Sequence, residues 1–185
     1  MSAFFEFYAA SSTFMYFVTK EPMWMANFIA DKRPDDELWK APPELLLYSA
    51  PHNKKKGKKA RLVPDIGYFV PGSIIINEKS YQVLGEYLSR FGELVDICIE
   101  GEHWYSYNLT NIKTDAVDLA NSNCMAGGTV KIPAFFSDRL PSEPQIFKLP
   151  ETKLLRMYCI GNGGESLKSL VENNGLTGLT FKPIA

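Results

Sequence analysis

The amino-acid sequence predicts an α+β fold in which mostly antiparallel strands are accompanied by two or more short amphipathic helices. Its 185 residues are enough for one compact domain with a single core. The 12 Phe and 9 Tyr residues favour sheet structure, and several segments alternate apolar and polar residues. We expect one continuous domain with an irregular N-terminal part at residues 1–61, followed by an α+β body at residues 62–185.

The N-terminal part is rich in aromatic strand candidates. The segments "FFEFY" from Phe4 and "FMYFV" from Phe14 each predict a strand. The later segment "LWKAPPELLLYSAP" contains three prolines and predicts extended chain. Although the start is apolar, Glu6 interrupts it and no positive side chain precedes Lys20. No apolar stretch approaches the roughly 20 residues that a membrane span needs, so we expect a cytoplasmic protein.

A run of positive charge, the basic segment at residues 54–61, closes the N-terminal part. It reads "KKKGKKAR" and holds six of the 20 basic residues: Lys54, Lys55, Lys56, Lys58, Lys59 and Arg61. The rest of the chain has 14 basic and 21 acidic residues, a formal charge of −7. The segment can contact nucleic-acid phosphates, but no aromatic residue interrupts it and no nucleic-acid fold signature accompanies it. A solvated loop is the preferred interpretation.

The body begins with the strand candidates "IGYFV" and "SIIIN". Asn77 follows as a helix N-cap, and the next apolar residues recur at helical spacing until Gly92. They are Leu84, Tyr87, Leu88 and Phe91. The strands "ELVDICIE" and "HWYSYNLTNI" then form a hairpin through the turn at residues 100–102.

The remaining elements are shorter. The segment "KTDAVDLANSNC" predicts turns, and "TVKIPAF" predicts a strand that Pro133 places at a sheet edge. Two more strands, "QIFKL" and "LLRMYCI", precede a short helix with Leu167, Leu170 and Val171 on one face.

The chain closes with "SLVENNGLTGLTFKP". Gly175 suits the left-handed position after a helix, with Leu176 packing back on that helix as in a Schellman motif. Leu179 and Phe181 then alternate inward in a last strand that Pro183 ends.

Catalytic and metal-binding patterns are missing from the sequence, so no metal or cofactor is expected. The three cysteines form no CxxC pair, and Cys98 and Cys159 lie in apolar runs that predict buried, reduced thiols. The "GNGG" stretch at residues 161–164 lacks the spacing of a phosphate-binding loop. A small enzyme remains the alternative. It would use His103, or Asp115 with Asp118, whose spacing fits either one helical face or a capping segment.

From about Asp65 onward the order of segments resembles a bacterial family of immunity proteins from polymorphic toxin systems, a domain first noted in a myxobacterial protein. The collinear pieces are "SIIIN", "EKSYQVLGEYL", "YSYNLTNI", "DAVDLANS", "IFKLPE" and the ending "NGLTGLTFKP". The resemblance covers about the C-terminal two thirds of the chain, and no catalytic residue carries over with it.

The resemblance implies a non-enzymatic cytoplasmic protein that binds a cognate secreted toxin and blocks it, in competition between bacteria. Inhibition by occlusion needs aromatic anchors and matched charges. The segment "EGEHWYSY" combines both, so we expect its side chains to contact the toxin. The candidates are Glu100, Glu102, His103, Trp104, Tyr105 and Tyr107. The alternative is that these strand residues pack the core and leave only the glutamates exposed.

Overall fold

The fold is α+β and mostly antiparallel sheet, as predicted. The computed structural model describes residues 4–10, 14–20, 44–48, 62–161 and 165–184. Two α-helices are present in these ranges, α1 (Glu78–Ser89) and α2 (Leu167–Asn173). The strands are β1 (Phe4–Ala9), β2 (Tyr16–Thr19), β3 (Leu45–Tyr48), β4 (Ile66–Tyr68), β5 (Ser73–Asn77), β6 (Gly92–Ile99), β7 (Glu102–Leu109), β8 (Val117–Cys124), β9 (Val130–Phe135), β10 (Ile146–Phe147), β11 (Met157–Ile160) and β12 (Leu179–Ile184).

The strands form two large sheets and one separate ribbon. One sheet has the order β10-β11-β1-β12 and the other β2-β3-β6-β7-β5-β4, while β8 and β9 form a two-stranded ribbon of their own among the described strands. Among the described strands every pair is antiparallel except β3 with β6, which meet at Leu45 and Ile99. Because β1 lies between β11 and β12, the N-terminal part of the chain is built into the sheet formed by the C-terminal part.

The core is divided into three apolar clusters by the two sheets. The largest joins both sheets to both helices through residues such as Phe7, Tyr107, Leu84 and Val171. A second cluster, which includes Ile75 and Trp104, lies on the opposite face of the six-stranded sheet. The third packs the β8–β9 ribbon on the outer face of the four-stranded sheet. Neither sheet therefore has a fully solvated face.

Three local predictions are confirmed. The Asn77 side chain accepts a hydrogen bond from the Ser80 amide at 2.9 Å and caps α1. The β6–β7 hairpin turns at Glu100 and Gly101, which both have positive φ, as a two-residue type I′ turn requires. At the end of α2, Leu176 N donates to Val171 O (3.0 Å) and Gly175 N to Glu172 O (3.2 Å), the two bonds of a Schellman motif.

Several other predictions are wrong in detail. Residues 117–124 form a strand rather than turns. The strand predicted from Leu154 begins only at Met157, because Lys153 and Leu154 adopt left-handed backbone conformations. Pro183 does not end the last strand, since β12 lies at a sheet edge where a missing N–H is tolerated.

Of the two thiols predicted to be buried, Cys159 is buried but Cys98 is exposed. The predictions for the basic segment and for residues 162–164 concern positions outside the described residues.

Candidate partner-binding surface

The predicted contact residues lie on the β6–β7 hairpin, whose two faces differ. The register places Asp96 opposite Tyr105 and Cys98 opposite His103, so these four side chains share one face of the sheet. Helix α1 covers part of that face, where Tyr81 stacks on Tyr105 with ring centroids 3.9 Å apart. The part of the face nearer the hairpin turn is open, and Asp96, Cys98 and His103 are exposed there.

His103 lies between two carboxylates on this open part of the sheet. Its Nδ1 is 3.5 Å from Glu78 Oε2 and its Nε2 is 3.4 Å from Asp96 Oδ1. Both ring nitrogens therefore face acidic oxygens, one from the start of α1 and one from β6. Glu78 begins α1 because Asn77 caps the helix, and an acidic residue in the first helical turn is favoured by the helix dipole.

Glu78 is held in place by two further hydrogen bonds. Gln82 Nε2 donates to its Oε1 at 2.6 Å, and the Tyr105 hydroxyl donates to its Oε2 at 2.7 Å. These two bonds keep the pKa of Glu78 below its ordinary value. Burial and the adjacent Glu78 carboxylate raise the pKa of Tyr105 to about 12, so the phenol stays a donor at neutral pH.

The structure separates the six predicted contact residues into two groups. Glu100, Glu102 and His103 are exposed. Trp104, Tyr105 and Tyr107 are buried: Trp104 packs on Phe17 at 5.0 Å, and the Tyr107 hydroxyl donates to Leu88 O at 3.0 Å. The aromatic members pack the interior, which is the alternative that the sequence left open.

Two acidic side chains that sequence reasoning missed complete the exposed group. We define the acidic surface as Glu78, Asp96, Glu100, Glu102 and His103. Asp96 can be found from the predicted hairpin alone, since it lies two residues before Cys98 and therefore on the same face. Glu78 could not be found in this way, because only tertiary packing brings the start of α1 beside His103. Asp96 and Glu78 lie on the face of His103, whereas Glu102, the residue before His103, points to the other face of the hairpin end. Exposed carboxylates concentrated at this end of the hairpin attract a positively charged partner.

The predicted aspartate pair lies elsewhere and has a different role. Asp115 and Asp118 do not share a helical face, because Asp115 has a left-handed backbone and Asp118 lies in β8. The Asp118 carboxylate accepts bonds from the amides of Ala120 and Asn121 and from the Asn121 side chain. These bonds, the Asn121 side chain first, lower the pKa of Asp118. These hydrogen bonds lie in the β-bulge where the β8–β9 register shifts.

The bulge lies in a ribbon whose apolar exposure the sequence did not predict. Leu119, Met125 and Ile132 are 57%, 55% and 49% exposed. The chain carries no charged residue from Leu119 to Val130. This apolar ribbon, defined by Leu119, Met125 and Ile132, is a second surface that can contact a protein, because exposed apolar side chains cluster at interaction sites.

Metal-ligand clusters and membrane-spanning helices are both absent from the described part of the chain. In these ranges no group of three or more His, Cys, Asp or Glu side chains is placed to hold a metal ion. None of the helices in the same ranges is long and apolar enough to cross a membrane.

The chain was also compared with known proteins. No protein-family model matches the sequence, and no curated protein matches it.

Proposed function

We propose that this protein is a cytoplasmic immunity protein that binds a cognate bacterial secreted toxin and occludes its active site. It acts by binding and not by catalysis. The observation that carries the proposal is the acidic surface, in which Glu78 and Asp96 flank His103 and the exposed Glu100 and Glu102 lie at the adjoining hairpin turn. The sequence resemblance of residues 65–185 to immunity proteins supports the same function.

The chemistry of the acidic surface indicates the kind of toxin that fits it. Apart from the basic segment the chain carries a formal charge of −7. An electropositive active-site cleft would be complementary to this charge, which speeds association and excludes wrong partners. Gln82 and Tyr105 hold Glu78 before any partner arrives, and a pre-organised side chain loses less entropy on binding.

A small enzyme that uses His103 is the second candidate function. An imidazole between two carboxylates is an arrangement that can transfer protons. The enzyme hypothesis accounts for fewer observations than the immunity hypothesis, because the exposed Glu100 and Glu102 at the hairpin turn would then have no role. His103→Gln keeps a polar side chain but removes proton transfer, so it distinguishes the two functions.

An immunity function predicts a toxin-like reading frame beside the gene for this protein, and the product of that frame provides the test. We expect expression of that product to arrest growth and co-expression of this protein to restore it, and the two purified proteins to form a stable complex. A neighbouring product that is harmless on its own would contradict the immunity function. Loss of protection in His103→Gln with unchanged binding would favour the enzyme.

Charge variants then test the acidic surface itself. Neutralising Glu78, Asp96, Glu100 and Glu102 as E78Q/D96N/E100Q/E102Q should weaken binding by about tenfold or more at low salt. The matched control E86Q/D138N/E143Q/E165Q removes four exposed carboxylates elsewhere and should change affinity by less than about twofold. An affinity that does not change as the salt concentration rises would overturn the electrostatic part of the proposal. A larger loss of affinity in L119S/I132S than in the acidic variant would also overturn it and would assign the contact to the apolar ribbon.

A further inference from the structure

His103 is the only histidine of the acidic surface, and histidine is the side chain that ordinarily changes charge between pH 5 and 8. Its ring lies within ion-pair distance of two carboxylates, with Nδ1 3.5 Å from Glu78 Oε2 and Nε2 3.4 Å from Asp96 Oδ1. The side chains of His103, Glu78 and Asp96 are 54%, 51% and 78% exposed. A partner can therefore reach all three.

Four described side chains face His103 from three elements, and none of the four is basic. They are Glu78 from α1, Asp96 and Cys98 from β6, and Tyr105 from β7, whose ring centroid is 4.6 Å from that of the imidazole. The basic residue that follows Glu78 in α1, Lys79, lies beside Asp65 instead, with its Nζ 3.3 Å from Oδ2. The two carboxylates beside the imidazole are thus available to a positive charge from a partner.

Protonation of His103 changes what these two carboxylates offer. A neutral imidazole has one N–H and can donate to one of the carboxylates, whereas an imidazolium has two and can donate to both. Glu78, Asp96 and His103 together carry a charge of −2 with the neutral ring and −1 with the protonated ring. A proton on His103 therefore occupies the same two carboxylates that a cationic partner would contact.

We propose that a cationic segment of the toxin and a proton on His103 compete for Glu78 and Asp96, so that the acidic surface binds its partner more weakly as pH falls from 7.5 to 5.5. This inference rests on the proposed immunity function and adds a regulation to it. Because coupling between two bound species is reciprocal, binding of the cationic segment expels the proton from His103. Glu78 stays ionised at pH 5.5, because hydrogen bonds from Gln82 and Tyr105 hold its pKa below the ordinary value.

The test uses an N-acetylated, C-amidated hexa-arginine peptide as the cationic probe and the full-length protein at low salt. Its guanidinium groups keep their charge at both pH values, so a change in affinity comes from the protein. We expect calorimetry to give a dissociation constant about threefold or more larger at pH 5.5 than at pH 7.5. Titrations at pH 6.5 in buffers of different ionisation enthalpy should show that protons are released on binding. Equal dissociation constants at the two pH values, or no binding at pH 7.5, would overturn the inference.

Variants of the two histidines assign the effect to one ring. His103→Gln keeps a polar side chain without a titratable ring, and its dissociation constants at pH 5.5 and 7.5 should agree within about twofold. His52→Gln removes the other histidine of the chain and should keep the pH dependence of the unaltered protein. A pH dependence that survives in His103→Gln, or that disappears in His52→Gln, would contradict the assignment.

The peptide needs no toxin, so this inference and the immunity function can fail separately. A toxin complex whose affinity has the same pH dependence in His103→Gln as in the unaltered protein would contradict the inference and leave the immunity function standing. Peptide binding that depends on pH through His103, in a protein that forms no complex with the toxin-like product, would support the competition for Glu78 and Asp96 and contradict the immunity function.

Discussion

Asp65 joins three parts of the fold that are distant in sequence. Its Oδ2 accepts hydrogen bonds from both the amide and the hydroxyl of Thr177 at 2.8 Å, and its Oδ1 accepts one from Asn77 Nδ2 at 3.1 Å. Lys79 Nζ lies 3.3 Å away. One carboxylate thus links the start of β4, the cap of α1 and the loop before β12.

The hydrogen bonds of Asp65 predict a specific pH dependence. Burial alone would raise the pKa of Asp65, but the bonds from Thr177, Asn77 and Lys79 hold it below its ordinary value. A carboxyl whose pKa is depressed on folding stabilises the protein above its unfolded pKa of about 4, and this contribution is lost as pH falls through the lower folded pKa.

Asp65→Asn should therefore lower the free energy of unfolding by about 1–3 kcal/mol at pH 7. The difference from the unaltered protein should narrow below about pH 4, where Asp65 itself becomes protonated. Urea unfolding at several pH values measures both effects. Asp138→Asn, at an exposed position, is the control and should change little. A difference that is constant with pH would show that the charge of Asp65 is not what stabilises the junction.

At the scale of elements, the closing loop depends on glycine for two different reasons. Gly175 has φ +58° and open space around its Cα, so only backbone conformation favours glycine there. Gly178 has φ +105°, and a Cβ at this position would overlap the carbonyl oxygen of Ile66. The second glycine permits β4 and the start of β12 to approach each other closely.

Two alanine variants separate these effects. Gly127 in the β8–β9 ribbon has φ +99° with nothing near its Cα, so Gly127→Ala measures backbone strain alone, about 1–2 kcal/mol. Gly178→Ala has similar strain and a steric overlap in addition, and should lose more than about 3 kcal/mol. Chemical denaturation measures both. Equal losses in the two variants would contradict the proposed close approach.

Elements with a clear apolar period could be predicted from the sequence, but the polar strand β8 could not. The spacing of Leu84 and Leu88 predicts α1, and the alternation in residues 103–109 predicts β7. Strand β8 reads "VDLANSNC" and lacks a regular alternation because its bulge interrupts the register. It forms a strand because β9 pairs with it and because Asp118 satisfies the amides of the bulge.

At the scale of the whole molecule, β1 connects the two ends of the chain. Phe4 pairs with Ile160 of β11 on one side and Ile184 of β12 on the other, and Phe7 is buried in the largest cluster. If β1 were missing, β11 and β12 would each lose the backbone hydrogen bonds that they make with it. The body at residues 62–185 therefore depends on the N-terminal part for one of its central strands.

We predict that a fragment of residues 62–185 does not fold on its own. Circular dichroism and amide NMR dispersion of this fragment should resemble those of an unfolded chain, because an interior strand and its apolar side chains are absent. Two variants of the full chain give a finer test: Phe7→Ala should lose about 3–5 kcal/mol, whereas Tyr8→Ala, on the exposed side of the same strand, should lose much less. A fragment that unfolds cooperatively would contradict this prediction.

The sequence by itself determined the fold class, the cap of α1, the β6–β7 hairpin and the Schellman ending, because periodicity, capping and turn chemistry act over a few neighbouring residues. Tertiary structure decided which of the predicted contact residues reach solvent. Trp104 and Tyr107 are buried because both faces of β7 are covered, one by α1 and the other by the second apolar cluster. It also placed Glu78 beside His103 and Asp65 beside Thr177. Such pairs are close only when distant segments pack together, and no local pattern records that packing.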